Sequence, residues 1–107
     1  MWMVNPKKMC NQHLLGEHVE THMFLGTMRV KKSLDGYVAN GLLEYQSLKI
    51  RHDALAIEMM RRGMNHTTPL EFDSNGFDYP EYVKSSKVDG EASYISLTER
   101  CPKCRAL

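Results

Sequence analysis

The chain has 107 residues, 42% of them hydrophobic, which suits one globular domain with a modest core and a stability of a few to about 10 kcal/mol. A formal net charge of only +1 does not mark a dedicated nucleic-acid binder, and charge alone reads as a solvated surface. No apolar run reaches the roughly 18 residues of a spanning helix, and the opening Met-Trp-Met-Val-Asn-Pro-Lys-Lys has too short an apolar stretch for a signal peptide.

Those exclusions set the expected context: a cytoplasmic protein with no membrane partner, in which Cys10, Cys101 and Cys104 are thiols or metal ligands rather than bridges.

Residues 2–8 are short and interrupted by Pro6, so they read as an extended lead-in. The first helix is expected from Met9–Asn11, with Asn11 as its cap, to about Met28, with Gly16 a weak point inside it. Ser33-Leu34-Asp35-Gly36 and Asn40-Gly41 signal turns around a short helical piece at Tyr37-Val38-Ala39. A second long helix is expected from about Leu42 to Arg62. Tyr45, Leu48, His52, Leu55 and Met59 give it one buried stripe, Arg61 and Arg62 suit its negative end, and Gly63 suits the position just past it. From Asn65 to Gly90 the turn-rich segments read as ordered loops, and residues 91–100 as a short third helix capped by Asp89 or Ser93. The expectation is an all-α single domain over residues 1–107, with two long helices, a short C-terminal helix and a loop-rich second half.

The chemistry concentrates in residues 12–20, Gln-His-Leu-Leu-Gly-Glu-His-Val-Glu. On a helix His13, Glu17 and Glu20 stand at i, i+4 and i+7 and share a face close behind the chain's amino end. Most helical glutamates are simply solvated, and spacing alone reads Glu20 that way. Residues 1–62 carry nine Lys/Arg against six Asp/Glu, and residues 63–107 five against seven. The first half is thus modestly basic, with Arg29, Lys31 and Lys32 as a candidate phosphate-binding cluster.

Two arrangements have metal-ligand spacing. His18 and His22 form an i, i+4 pair, but Glu20 faces away from both, unlike the glutamate of a zincin helix. Cys101-Pro102-Lys103-Cys104 pairs with the Cys10…His13 spacing, which leaves open a Cys₃His zinc site; free thiols are the default reading. Arg51 is a candidate partner for Glu17, Glu20 or a phosphate, while His52 belongs to the apolar stripe.

Gln12, His13, Leu14, Glu17, Glu20 and Gly26 stand at the relative spacing found in the phage pyrimidine-dimer DNA glycosylase/AP lyase family, the endonuclease V type. Leu48, Arg51, Leu55, Glu58, Arg62, Gly63 and Asn65 resemble that family's second helix and its Arg-Gly-aromatic-Asn ending, with Met64 in the aromatic place. Val38-Ala39-Asn40-Gly41 resembles a further family segment. The likeness covers roughly residues 10–26 and 38–65; it lies in the ordered combination rather than in any single motif.

The resemblance implies a double-stranded DNA partner carrying damaged or abasic sites, and catalysis without a metal or cofactor. It places the catalytic carboxylate on Glu20, gives Glu17 a supporting role, and puts Gln12 and His13 near the nucleic acid. It implies attack by an α-amino group, which titrates near 7.7–8.0 in model compounds and is therefore partly neutral at working pH. The amine expels the damaged base from the sugar, and the resulting imine acidifies the neighbouring proton so that β-elimination breaks the strand.

This sequence departs from the family pattern in three places. Trp2 follows Met1, so Met1 itself would supply the amine instead of a threonine exposed by its removal. Val19 and Met23 occupy two positions that carry phosphate-binding arginines in the family. The aromatic tail is missing, which leaves Tyr79, Tyr82 and Tyr94 as stacking candidates. The expected function is a DNA glycosylase with lyase activity, acting as a monomer through Met1 and Glu20, supported by Glu17, His13 and Arg51, with Gln12, His13, Arg29, Lys31, Lys32 and His66 on the DNA. The alternatives are an inactive DNA-binding module of the same fold and a small zinc-stapled structural protein.

Overall fold

Leu14, Phe24, Leu25 and Met28 on one helix, and Leu48, Leu55 and Met59 on another, are buried against each other and their neighbours. Each such side chain contributes about 1.5–3 kcal/mol on leaving water. The two helices are α1 (Asn11–Arg29) and α3 (Leu48–Arg61), and they form the main packed pair of the molecule. The computed structural model describes residues 1–64 and 68–107. Around the pair stand α2 (Asp35–Ala39), α4 (Glu81–Lys84), α5 (Gly90–Arg100) and α6 (Pro102–Arg105), with single 3-10 turns at Pro6–Lys8 and Tyr45–Ser47. No strand occurs among the described residues, and the fold is all-α.

Several boundaries differ from the sequence reading. Asn11 is the first residue of α1 rather than its cap; Cys10 takes the cap position with extended backbone, and the Asn11 side-chain oxygen accepts from Arg62 Nη1 at 3.0 Å. The second long helix begins at Leu48, not Leu42. Leu43 and Tyr45 are both buried on extended or 3-10 backbone, and the Leu42 carbonyl faces the chain's amino end instead of a helical N–H. At its far end Gly63 has φ +76. There the Gly63 and Met64 amides donate to Met60 and Met59 carbonyls at 3.0 and 2.9 Å, a closure that needs the left-handed conformation glycine adopts without strain. Two helices fall where loops are expected or no element is assigned: α4, opened by Pro80, and α6, opened by Pro102. Each is a single turn, too short to show a period. Asp89 caps α5, accepting from the Ala92 amide at 3.1 Å.

The core is divided in two. One apolar cluster holds Met1, Phe24, Leu25, Met28, Leu34, Leu43, Tyr45 and Leu48 with Leu70, Val83 and Val88. The other holds Val4, Met9, Cys10, Leu14, Leu55, Met59, Leu97 and Cys104. In sequence, buried polar residues separate them: Glu17, His18 and Thr21 on α1, and Arg51 and His52 on α3. Among the described residues no helix is long and apolar enough to cross a membrane.

Candidate active site

A buried carboxylate needs a partner, and Glu17 has three donors. Arg51 meets it with a two-pronged contact, Nε to Oε2 at 2.5 Å and Nη2 to Oε1 at 2.9 Å. The Trp2 amide donates to Oε1 at 3.1 Å. Arg51 also donates from Nη1 to the Val4 carbonyl at 2.6 Å. The first four residues are therefore laid along α1 by its polar belt. Arg51 lies in the interior and organises Glu17 and the lead-in rather than standing free for a phosphate.

This path ends with the amino group of Met1 2.5 Å from Glu20 Oε1 and 2.7 Å from the Leu42 carbonyl. The Met1 side chain is fully buried, and its sulfur accepts from the Glu44 amide at 3.4 Å. An apolar plug thus fixes the nitrogen, while Glu20 remains 36% exposed and open to a ligand. Met3 turns the chain to make this possible, with φ +54. A non-glycine residue there costs on the order of 1–3 kcal/mol and persists only where its surroundings enforce it. The Met3 carbonyl passes over Gly90, where a Cβ would come within 2.8 Å of it.

The amine and Glu20 line a cleft of about 400 Å³, the size of a small ligand site. Asn40, Gly41 and Leu42 form one side, and the α5 cap Asp89 with Ser93, Ser96 and Arg100 of α5 forms the other. Sequence reading missed the α5 wall. Its only signal was the small or polar character of Gly90, Ala92, Ser93 and Ser96 on one helix, which permits close approach but names no chemistry.

The remaining expected site residues are scattered. His13 lies with the cysteines, its Nδ1 3.2 Å from Cys10 Sγ and 3.6 Å from Cys104 Sγ, and its ring meets Trp2 edge-on at 5.9 Å. Gln12 is exposed near the start of α1, about 12 Å from Glu20 along the helix at 1.5 Å per residue. Arg29, Lys31 and Lys32 are exposed at the opposite end. His66 lies outside the described residues. Val19 and Met23 are on the solvent side of α1. The Tyr79 hydroxyl donates to the Lys32 carbonyl at 2.7 Å, the Tyr82 hydroxyl to Asp35 at 2.5 Å, and Lys8 sits over the Tyr94 ring at 5.3 Å.

Among the described residues two groups of side chains have donor atoms close enough to hold a cation, each within 4.8 Å of one another: Cys10, His13, Cys101 and Cys104, and the trio of buried His18 and His52 with half-buried His22. In the trio, His52 is also engaged by Asp53 at 2.8 Å and the Thr68 carbonyl at 2.9 Å. The hydrogen bond from His52, with help from Lys49, holds the Asp53 carboxyl below its ordinary range.

A family model described as pyrimidine dimer DNA glycosylase matches residues 1–72, and the chain belongs to that family. At the level of the family it is a DNA-repair glycosylase with DNA as its substrate. No curated protein and no solved structure matches the chain significantly. The matched segment contains the amino end, Glu17, Glu20 and Arg51. Helices α5 and α6, with one wall of the cleft and two of the cysteines, lie beyond it.

Proposed function

We propose that the protein is a DNA glycosylase with AP-lyase activity, working as a monomer on double-stranded DNA with damaged or abasic sites, and that the α-amino group of Met1 is its nucleophile. The observation that carries this reading is the amine held 2.5 Å from Glu20 at the wall of a cleft wide enough for a sugar. Glu20 takes a proton from the protonated amine, whose nitrogen then bonds to C1′ as the bond from C1′ to the base breaks; the base leaves with that electron pair and takes the proton from Glu20, which becomes a carboxylate again. The sugar ring then opens: the ring oxygen leaves C1′ with the bonding pair and takes one proton from the nitrogen, and the nitrogen and C1′ form a protonated imine. The charge on it is stabilised by the Glu20 carboxylate, which also receives the C2′ proton. The electron pair freed at C2′ forms the C1′-conjugated double bond as the C3′–O bond breaks, and the phosphate departs. Glu17 and Arg51 position the amine through Trp2 and Val4 rather than touching the sugar.

Borohydride reduction of a reaction on an abasic-site duplex tests the proposal. The expected result is a covalent protein–DNA adduct that maps to Met1 and is lost in Glu20→Gln. The absence of an adduct, or an adduct mapped to a lysine, overturns it. Retarded migration on duplex DNA without any adduct would favour the inactive binding module instead. The same trap on duplexes with cyclobutane dimers and other lesions identifies the damaged base.

A further inference from the structure

Cysteine and histidine side chains that converge from two segments some ninety residues apart need a reason to do so. Cys10 and His13 come from the start of α1, Cys101 from the residue between α5 and α6, and Cys104 from α6. We propose that these four residues form a structural zinc site that clamps the end of the chain onto α1.

Zinc–sulfur bonds near 2.3 Å and zinc–nitrogen bonds near 2.0–2.1 Å give a tetrahedron with edges of roughly 3.8 Å between sulfurs and roughly 3.5 Å between sulfur and nitrogen. The sulfurs of Cys10 and Cys101 lie 3.9 Å apart, and His13 Nδ1 lies 3.2 and 3.6 Å from the sulfurs of Cys10 and Cys104. All four donor atoms fall within 4.8 Å of one another. A disulfide needs sulfurs about 2.05 Å apart, so the cysteines are not disposed as a bridge. Backbone amides already point at the sulfurs: Cys10 N to Cys104 Sγ at 3.2 Å, and Cys104 N to Cys101 Sγ at 3.5 Å. Such N–H···S contacts favour thiolate over thiol and recur around bound metals. Cys10 and Cys104 are buried, while Cys101 and His13 are half-exposed and give an ion a way in. Loading releases three thiol protons to solvent and leaves one net negative charge on the site. Arg62 and Lys103 border the same surface depression as Cys10 and oppose that charge.

Four protein donors close the coordination shell, so the role is structural. The metal would fix α6 and the end of α5, and so the far wall of the cleft, to the start of α1.

The test is elemental analysis of the full chain, purified without added histidines or chelator from zinc-replete medium, alongside cobalt(II) loading of the metal-free protein. The expected result is about one zinc per chain, near zero in Cys101→Ser and Cys104→Ser, with a sulfur-to-cobalt charge-transfer band in the wild type. All three thiols should resist an aromatic disulfide reagent until a chelator removes the metal. Should the variants fail to fold, the wild-type stoichiometry, cobalt band and thiol protection still decide. Three freely reactive thiols with little zinc, a mass lower by two hydrogens that marks a disulfide, or zinc retained in both serine variants overturns the proposal.

Discussion

Glu17 and Glu20 differ by three positions, yet one is sealed against an arginine and the other faces a cleft. Glu20→Gln keeps an oxygen to receive the amine but removes the charge and the base. Strand cleavage at abasic sites should fall about 10²–10⁴-fold with DNA affinity within a few-fold, read by single-turnover kinetics and gel shift. Arg51→Met leaves the Glu17 carboxylate buried beside a lone amide. It should cost about 3–5 kcal/mol in urea unfolding, and Glu17→Met added to it should restore most of that loss. The sequence carried both glutamates and Arg51, because helical spacing and the family likeness coincide there. It did not carry the contacts that separate them, Arg51 closing over Glu17 while Glu20 faces the cleft. Spacing put His13 on the same face, but the thiols of Cys10 and Cys104 draw its ring to the other end of that face.

Along the elements, legibility followed length. The stripe Tyr45, Leu48, His52, Leu55 and Met59 is buried as its period requires, and Gly63 closes α3. The start of α3 was not legible because Leu42 to Ser47 continue the apolar pattern while their backbone serves another purpose, presenting the Leu42 carbonyl to the amine. The end of α3 also carries a charge cluster. Arg61, then Arg62, hydrogen-bond to Glu58 and hold its carboxyl at about 2, against an ordinary 4.5, and Arg62 reaches on to Asn11 and the Pro6 carbonyl at 3.0 Å each. A carboxyl lowered by folding stabilises fully above its unfolded value. The contribution should therefore be complete above about pH 4.5 and fade as the pH falls toward about 2. Because the Arg61 side chain is 60% exposed, the screened effect is about 1–2 kcal/mol. Unfolding midpoints measured across that window should drop less steeply in Glu58→Gln than in the wild type.

The molecule as a whole is two apolar clusters separated by a polar belt, and the amino-terminal lead-in enters along that belt. The all-α class was legible from periodicity, but the belt was not, since a polar residue on a helix reads as solvent-facing until a partner is known. Gly90 is the point where distant parts constrain each other. Gly90→Ala forces its new carbon against the Met3 carbonyl, and the backbone must yield. It should cost about 1–3 kcal/mol, leave the helical circular dichroism unchanged, and reduce borohydride trapping per folded molecule as the amine shifts away from Glu20. The same strapping has a consequence for motion. Chain ends ordinarily fray and exchange their amide protons with heavy water almost at once. Here the Trp2 amide is locked to a buried carboxylate, so deuterium should reach it as slowly as it reaches the middle of α1, and faster uptake at that one amide would report release of the Met1 amine from its seat before any loss of helix.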